Sequence, residues 1–212
     1  MKQQIHPTAI VEAEVEIGPG TAVWDNAHIR GPSRIGADCI IGEKTYVAYG
    51  VEIGDRVKIN AFVYVCNAVT IEDGVMIAAG TVFTNDRFPR ATTTDLRRLR
   101  GSEPDEATRQ TRVCAGATLG AGSLIGCDLE IGRFAMVGMG TVVTQSVPPF
   151  HLVVGQPAKS IACVCRCGAP LLRFDESGHP PSRADFPCQL CGLHYMVQEG
   201  RVTELTSRAD GR

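Results

Sequence analysis

The sequence predicts an all-β fold, a parallel β-helix. The prediction rests on two positions of a six-residue repeat. An aliphatic residue recurs at every sixth position from Ile5 to Ile77, and again from Val113 to Val143. Four residues after each aliphatic, eighteen of nineteen positions carry a small or β-branched residue, and Leu129 is the exception. A helix would repeat its apolar face every 3.6 residues, so this pattern favours short strands separated by tight turns.

Three such hexads predict one triangular coil of 18 residues, with the aliphatic side chains inside and the small residues where the wall bends. Nineteen hexads give a little over six coils, and strands about 4.8 Å apart make the prism roughly 30 Å tall. The alternative is an inert solenoid without a functional site. The remaining motifs weigh against that alternative.

Composition and charge leave small molecules as the expected partners. The chain has 212 residues, 44% of them hydrophobic, and a net charge of −2, which favours neither nucleic acid nor an anionic membrane surface. Neither a secretory signal nor an apolar run of membrane-spanning length is evident. The nine cysteines are therefore expected to be reduced or metal-bound in a cytoplasm.

The repeat is interrupted between residues 84 and 112 by a loop excursion with seven arginines and five acidic residues. Long excursions from a rigid scaffold are usually functional or disordered. The start of the loop predicts a substrate clamp that includes Asp86, Arg87 and Arg90, and the segment 101–106 predicts a mobile, solvated tip. A merely tolerated insertion is the alternative.

Asn85, at the start of this loop, shares a predicted column with residues placed 18 positions apart. The column contains Asn67, Tyr49 and Gly31 below Asn85. Stacked polar side chains on an outward corner form either a structural ladder or the polar wall of a binding groove. The loop that begins at Asn85 favours the groove, with Asn67 and Tyr49 as substrate-binding residues.

Histidines are absent from residue 29 to residue 150. A γ-class carbonic anhydrase shares the predicted fold but needs three metal-binding histidines, and acetyl transfer to a hydroxyl group generally needs an imidazole base. An amine with a pKa of about 8 keeps a useful neutral fraction at pH 7 and needs mainly orientation. The absence of histidine therefore favours an amine acceptor.

Cysteines near the C-terminus form two pairs, each followed by glycine, in Cys165-Arg166-Cys167-Gly168 and Cys188-Gln189-Leu190-Cys191-Gly192. Four thiolates at this spacing predict a closed structural zinc site of the zinc-ribbon type, and a short tail needs such a cross-link to fold. The first pair has one intervening residue instead of two, so Cys163 with Cys167 is an alternative. Disulfide pairing is the other alternative.

Three segments together carry a family resemblance: the hexads, the segment Thr84-Asn85-Asp86-Arg87-Phe88-Pro89-Arg90, and the closing segment from Val153 to Ile161. Residues 4–162 resemble the bacterial nucleotide-sugar 3-N-acetyltransferases, which act on UDP- or dTDP-linked 3-amino sugars. The resemblance implies a left-handed helix, a homotrimer with active sites between neighbouring prisms, and acetyl-CoA as co-substrate.

By position, the resemblance gives Asn85 the catalytic role of holding the sugar amine. It makes backbone N–H groups near Gly120, Gly138 and Gly140 candidates for binding the thioester carbonyl and pantetheine, and it brings Lys159 to the CoA phosphates. Alternatively, the glycines serve only as turn residues and Lys159 is only solvated.

The sequence thus predicts an acyltransferase β-helix over residues 1–162, a zinc-ribbon-like module over 163–200 and a tail over 201–212 that lacks a clear pattern. The expected activity is acetyl transfer from acetyl-CoA to the 3-amino group of a nucleotide-linked amino sugar. Two alternatives stay open: a different acceptor or acyl chain, and a non-catalytic β-helix that docks a partner through the zinc ribbon.

Overall fold

The computed structural model describes residues 2–101, 103–104, 108–175, 178 and 180–205. The predicted mobile tip lies partly outside the described residues, at Ser102, Asp105 and Glu106, and so does the tail from residue 206 onward. Over the described part of the chain, no helix is long and apolar enough to span a membrane.

The repeat forms twenty short strands, one more than the nineteen hexads, because Phe83 occupies the aliphatic position of a further hexad at the start of the loop excursion. In chain order they are β1 (Gln4–Ile5), β2 (Ile10–Val11), β3 (Val15–Ile17), β4 (Ala22–Val23), β5 (His28–Ile29), β6 (Ser33–Ile35), β7 (Ile40–Ile41), β8 (Tyr46–Val47), β9 (Glu52–Ile53), β10 (Lys58–Ile59), β11 (Tyr64–Val65), β12 (Val69–Ile71), β13 (Met76–Ile77), β14 (Val82–Phe83), β15 (Thr111–Val113), β16 (Thr118–Leu119), β17 (Leu124–Ile125), β18 (Glu130–Ile131), β19 (Met136–Val137) and β20 (Val142–Val143).

Six further strands follow the hexads. They are β21 (His151–Val154), β22 (Lys159–Val164), β23 (Pro170–Arg173), β24 (Arg183–Pro187), β25 (His194–Gln198) and β26 (Arg201–Glu204).

The strands of the hexads wind through three sheets in turn, so that each strand pairs in parallel with the strand one coil away. The ten-stranded sheet runs β1-β4-β7-β10-β13-β16-β19-β21-β22-β23. The seven-stranded sheet runs β2-β5-β8-β11-β14-β17-β20, and the six-stranded sheet runs β3-β6-β9-β12-β15-β18. This is a parallel β-solenoid, which confirms the predicted class of fold.

The register between coils is the predicted one: Ile5 pairs with Val23, and Ile41 pairs with Ile59, eighteen residues apart in each case. Across the loop excursion the same columns resume, because Ile77 pairs with Leu119. From Val23 to Val143 the aliphatic residues are almost completely buried in one continuous core.

The residue before each small position turns the corner of the prism. Most of these residues adopt left-handed backbone angles, for example Asn26 with φ of 54° and Gly50 with φ of 71°. The small residue then fits inside the bend, where Thr45 donates its hydroxyl to the carbonyl of Asn60 at 2.9 Å. Such bonds satisfy polar groups that burial would otherwise leave unpaired.

The first part of the C-terminal segment continues the solenoid, and the second part forms a sheet of its own. Strand β21 extends the ten-stranded sheet by parallel pairing with β19, and β22 and β23 follow it with antiparallel pairing. Strands β24, β25 and β26 form a three-stranded antiparallel sheet. The boundary expected between residues 162 and 163 therefore falls inside β22. The boundary expected at residue 200 falls in the turn between β25 and β26, whose pairing reaches Glu204.

Candidate functional site

The predicted column of polar residues forms a hydrogen-bonded ladder at the corner between the seven- and six-stranded sheets, here called the Asn85 corner. The side-chain amide of Asn67 donates to the hydroxyl of Tyr49 at 3.1 Å. The amide of Asn85 donates to Oδ1 of Asn67. Asn67 is buried and Asn85 is half-buried, so the stack opens to solvent at Asn85.

The ladder orients the side-chain amide of Asn85. Nδ2 of Asn67 donates to Tyr49, and Oδ1 of Asn67 accepts from Nδ2 of Asn85. The Oδ1 atom of Asn85 therefore lies on the other side of the amide. A carbonyl oxygen in that position can accept a hydrogen bond from an amine, but it is too weak a base to remove a proton.

Charged side chains that sequence reasoning missed extend the Asn85 corner toward the N-terminal coils. Glu12 accepts from His28 at 2.9 Å and from Arg30 at 3.3 Å, and Arg30 lies over the Tyr49 ring at 5.3 Å. The hydrogen bond from His28 lowers the pKa of Glu12. The eighteen-residue spacing of Glu12 and Arg30 was the sequence signal that could have revealed this contact.

The loop excursion is anchored by backbone pairing at its base. Asp86 and Thr108 form an antiparallel bridge, and the N–H of Arg109 donates to the carbonyl of Asn85 at 3.2 Å. Farther out, Thr92 pairs with Leu99. The described part of the loop is therefore an ordered arm that starts at Asn85.

The arm places its three predicted substrate-binding residues differently. The carboxylate of Asp86 accepts from the N–H of Phe88 at 2.9 Å, which shapes the first turn. The guanidinium of Arg87 lies 3.8 Å from the carboxylate of Asp128 on a later coil. Arg90 is exposed and, among the described residues, donates only to the neighbouring carbonyl of Pro89. Among the three, Arg90 is thus the most available to an anionic ligand.

The corner between the ten- and seven-stranded sheets, here called the glycine corner, contains Gly120, Gly138 and Gly140. The N–H groups of these glycines already donate to Val137, Val153 and Ala121, at 2.8, 2.8 and 2.9 Å. Coil stacking uses these three N–H groups, so a ligand at this corner would have to be bound by neighbouring donors. At Gly120, an added Cβ would lie 2.6 Å from the carbonyl carbon of Gly138, so glycine is required for close stacking.

The closing segment packs on this same corner. The side chain of Gln156 donates to the carbonyl of Gly140 at 2.9 Å, and the N–H of Ala158 donates to Val142 at 2.8 Å. Lys159 follows directly and is exposed. Lys159 thus lies next along the chain to a residue that contacts the glycine corner.

Thr141, the wall residue of the glycine corner, is fully buried and its hydroxyl has no hydrogen-bond partner among the described residues. The corresponding hydroxyl of Thr45 reaches the carbonyl of the next coil. Above Thr141 that coil is replaced by the turn of the closing segment, which explains the missing acceptor.

The Asn85 corner and the glycine corner are two different edges of one prism, and both border the seven-stranded sheet. Asn85 follows β14 of that sheet, whereas Gly138 precedes β20 of the same sheet. A site that combines the two corners therefore cannot form at a single edge of one chain.

The four cysteines predicted as metal ligands converge. The sulfur atoms of Cys165, Cys167, Cys188 and Cys191 all lie within 4.8 Å of one another, and this is the one metal-ligating group found among the described residues. Cys165 and Cys167 come from the turn between β22 and β23, and Cys188 and Cys191 from the turn between β24 and β25. Two turns thus bring four thiols together, and four thiols are able to close a tetrahedral metal site.

The structure contains no disulfide bond among the nine cysteines, all of which lie in the described part of the chain. Cys163 is completely buried outside the cluster, and burial raises its pKa to about 11. Within the cluster, burial opposes ionisation of Cys188, but the N–H groups of Cys191 and Leu190 lower its pKa to about 7.

Comparison with known proteins shows which protein families the repeat is similar to. Residues 14–49 and 50–85 match the bacterial transferase hexapeptide model, and residues 32–67 match the hexapeptide repeat of succinyl-transferase. This part of the chain thus matches a hexapeptide repeat, and the 18-residue register of the coils continues beyond it to Val143.

Among curated relatives, the dTDP-3-amino-3,6-dideoxy-alpha-D-galactopyranose 3-N-acetyltransferase of Aneurinibacillus thermoaerophilus is 37% identical over 100 residues, 47% of each chain. The bifunctional protein GlmU of Sorangium cellulosum is 31% identical over 152 residues, 69% of this chain and 27% of the relative. The chain thus spans half or less of these relatives. The first relative confirms the resemblance to the nucleotide-sugar 3-N-acetyltransferases.

Solved structures share the fold. LpxA, a UDP-N-acetylglucosamine acyltransferase from Bacteroides fragilis, has a TM-score of 0.61 at 15% identity and covers 76% of this chain and 61% of its own. AntD, an N-acyltransferase from Bacillus cereus solved with dTDP and coenzyme A, has a TM-score of 0.52 at 21% identity and covers 77% and 82%.

Proposed function

We propose that this protein transfers an acetyl group from acetyl-CoA to the 3-amino group of a dTDP- or UDP-linked amino sugar. The observation that carries the proposal is the ladder from Tyr49 through Asn67 to Asn85, which fixes an amide oxygen at the base of an ordered arm. The relative from Aneurinibacillus, whose name states this activity on a dTDP-linked sugar, supports the choice of substrate.

Asn85 acts by orientation. Its Oδ1 accepts one N–H of the neutral amine, so the nitrogen lone pair points away from Asn85 and toward the thioester carbon. The amine attacks, the tetrahedral intermediate collapses, and the CoA thiolate leaves. The proton that the nitrogen loses passes to water or to the thiolate, because an α-amino-like amine with a pKa of about 8 needs little base assistance.

Acetyl-CoA occupies the glycine corner. Lys159 supplies a positive charge for the phosphates, and Arg90 on the arm supplies one for the diphosphate of the sugar nucleotide. Because the N–H groups of Gly120 and Gly138 are used, the donors for the thioester carbonyl are the next residues, Ala121 and Met139. Within the described chain no backbone acceptor is assigned to their N–H groups.

A homotrimer completes the site. The outward residues of the seven-stranded sheet form an apolar and aromatic stripe, with Tyr46 and Tyr64 stacked at 5.3 Å. The stripe consists of Ile10, His28, Tyr46, Tyr64, Val82, Leu124 and Val142. The six-stranded sheet instead presents Glu16, Arg34, Glu52, Thr70, Arg112 and Glu130. Burying large apolar surface favours association, so the seven-stranded sheet is the one that faces the threefold axis.

That arrangement brings the two corners together. When three prisms turn the same sheet toward one axis, the edge on one side of that sheet approaches the opposite edge of the neighbour. The Asn85 corner of one chain then meets the glycine corner of the next. The left-handed winding implied by the family resemblance belongs to the same proposal.

The four-cysteine site holds a structural zinc ion, since four thiolates close a tetrahedral site and leave no open position for substrate. Elemental analysis should find about one zinc per chain. The cytoplasmic location expected from the sequence stays a prediction.

An assay panel tests the activity. Acetyl-CoA with UDP- and dTDP-linked 3-amino sugars should release free thiol, and the same sugars with a 3-hydroxyl group should not. Thiol release only with other acceptors or longer acyl chains would favour the rival enzyme. A protein that neither binds acetyl-CoA nor releases thiol would favour a non-catalytic scaffold.

Substitution of Asn85 tests the mechanism. Asn85→Ala should lower the turnover rate by about 10²-fold or more while acetyl-CoA affinity barely changes, because only the amine loses its orientation. Asn85→Asp should move the rate optimum to higher pH, because a carboxylate stabilises the ammonium form and raises its pKa. Wild-type turnover in both variants would contradict the assignment.

Mixed oligomers test the shared site. Chains with Asn85→Ala and chains with Lys159→Glu should each be weakly active alone, and a 1:1 mixture reassembled from subunits should recover about a quarter of the sites. Mixing Asn85→Ala with Asn67→Ala, both at the Asn85 corner, should recover none. Light scattering should give three times 22.7 kDa. An active monomer would contradict the trimer.

A further inference from the structure

Strands β22 to β26 and the four clustered cysteines are here called the cysteine module. Two adjacent buried residues, Phe150 and His151, join this module to the last coil of the solenoid. Phe150 packs against Phe134 of the solenoid, with ring centroids 5.4 Å apart, and meets the ring of Tyr195 edge-on at 5.6 Å. Tyr195 is fully buried. One aromatic row therefore runs from the solenoid wall into the module.

The hydroxyl of Tyr195 continues this row to the cysteine site. It accepts the N–H of Arg166 at 3.0 Å and lies 3.2 Å from the sulfur of Cys165. Because its oxygen accepts from Arg166, its own proton is free to be donated to Cys165. A hydrogen bond to a ligating thiolate orients the ligand and tunes the affinity of the site for metal.

His151 forms a second connection. Its Nε2 lies 3.0 Å from the carbonyl of Gly200, in the turn between β25 and β26, and its Nδ1 lies 2.9 Å from the hydroxyl of Ser160. A carbonyl can only accept, so Nε2 carries the proton and Nδ1 accepts from Ser160. The ring thus ties β21 to both parts of the module.

The strand that begins with His151 also supports the glycine corner. Strand β21 pairs with β19, where Val137 lies opposite Val153, and the N–H of Gly138 donates to Val153 at 2.8 Å. The turn after β21 packs on Gly140 through Gln156. A shift of β21 would therefore alter the hydrogen bonds of the glycine corner, where acetyl-CoA is proposed to bind.

We propose that Tyr195 and His151 are positioning residues through which metal occupancy of the four-cysteine site orders the glycine corner, so that acetyl-CoA binds more tightly to the metal-loaded protein. This inference rests on the proposed zinc and acetyl-CoA sites. The metal stabilises the C-terminal end of the solenoid and takes no part in acetyl transfer.

Hydrogen exchange on the full chain, with zinc bound and after removal of zinc by a chelator, tests the coupling without any activity measurement. Removal should speed exchange in the module and also at the amides of Gly138 and Val142, which donate to β21 and its turn. Amides of the first coils, such as Ala22, should be unchanged. Unchanged exchange at Gly138 and Val142 would overturn the inference.

Tyr195→Phe keeps the ring on Phe150 and removes only the hydroxyl. Zinc affinity, measured by competition with a chromogenic chelator, should fall about tenfold or more. Tyr64→Phe removes a hydroxyl from the solenoid wall and should leave zinc affinity unchanged. Equal zinc affinity in wild type and Tyr195→Phe would overturn the role of Tyr195. If Tyr195→Phe does not fold, Ser160→Ala tests the His151 connection by the same exchange at Gly138.

Acetyl-CoA affinity separates this inference from the proposed function. Calorimetry should show weaker acetyl-CoA binding, by several-fold, after zinc removal. Equal affinity with and without zinc would overturn the inference and leave the proposed function standing. If metal-loaded protein fails to bind acetyl-CoA, the proposed function fails, and the exchange at Gly138 still decides whether the metal orders the corner.

Discussion

The solenoid and the cysteine module bury their residues in different ways. In the solenoid each coil covers the next, so a strand of two residues such as β10 contributes a completely buried Ile59 to a core shared by all coils. The module has a small core in which buried cysteines pack with Phe174, Tyr195 and Val197. Repetition stabilises the first region, whereas the second needs a cross-link because it is too small to bury enough apolar surface.

Metal removal should have the largest effect and should affect the two regions unequally. Structural zinc contributes about 10–16 kcal/mol in zinc-finger peptides, more than a small core supplies. Chelation, or Cys188→Ser, should unfold the three-stranded sheet, seen as loss of exchange protection in β25, while the solenoid keeps its strand signal in circular dichroism. Cys39→Ser, in the solenoid wall, is the control and should keep zinc. A module that stays protected without metal would show that its core suffices.

The contrast also explains what the sequence could predict. Strands one coil apart pair at a fixed spacing of 18 residues, so the register and the ladder from Tyr49 to Asn85 follow from position alone. Two cysteine pairs at ribbon spacing predicted that these four cysteines converge, for a similar local reason. By contrast, β22 crosses the expected boundary at residue 162, because antiparallel pairing onto β21 has no periodic signal in the sequence.

The glycines show a second limit of sequence reasoning. A glycine needed by the coil and a glycine needed by a ligand look identical in a sequence, and only the acceptor at Val137 shows that the N–H of Gly120 is used. The order of the arm was equally hidden in the sequence. Its base depends on the bridge between Asp86 and Thr108, which lie 22 residues apart along the chain. Neither contact follows the repeat.

Substitution of Gly120 should have an intermediate effect and tests coil stacking in the solenoid. Gly120→Ala would place its Cβ 2.6 Å from backbone atoms of the next coil, which must shift. The expected loss is about 1–3 kcal/mol of unfolding free energy, as for other overpacked sites. Gly101→Ala on the arm meets no atom within 4 Å and is the matched control. Equal stability of the two variants in denaturant titrations would show that the coils separate easily.

The smallest effect concerns pH and the joint between the two regions. Burial lowers the pKa of His151 below its ordinary value of 6.5. The unfolded chain then binds a proton more readily than the folded one, so stability is lost as pH falls from 6.5 toward the lowered pKa and is fully present above 6.5. The charged groups nearest its partner Gly200 are Glu199 and Arg201, both exposed, and Cys163 lies opposite His151 on β22.

His151→Gln removes this titration while keeping a side chain that can donate to Gly200 and accept from Ser160. Between pH 5.5 and 7, wild type should lose thermal stability on acidification, by no more than about 1.4 kcal/mol for each unit of the pKa difference. The variant should show a flatter profile over the same range, measured on zinc-loaded protein at a fixed zinc concentration. His194→Gln, an exposed histidine on β25, should keep the wild-type slope. Two results would contradict this prediction: the pH dependence of thermal stability flattens in His194→Gln, or it persists in His151→Gln. Either result would show that groups other than His151 control the loss of stability in acid.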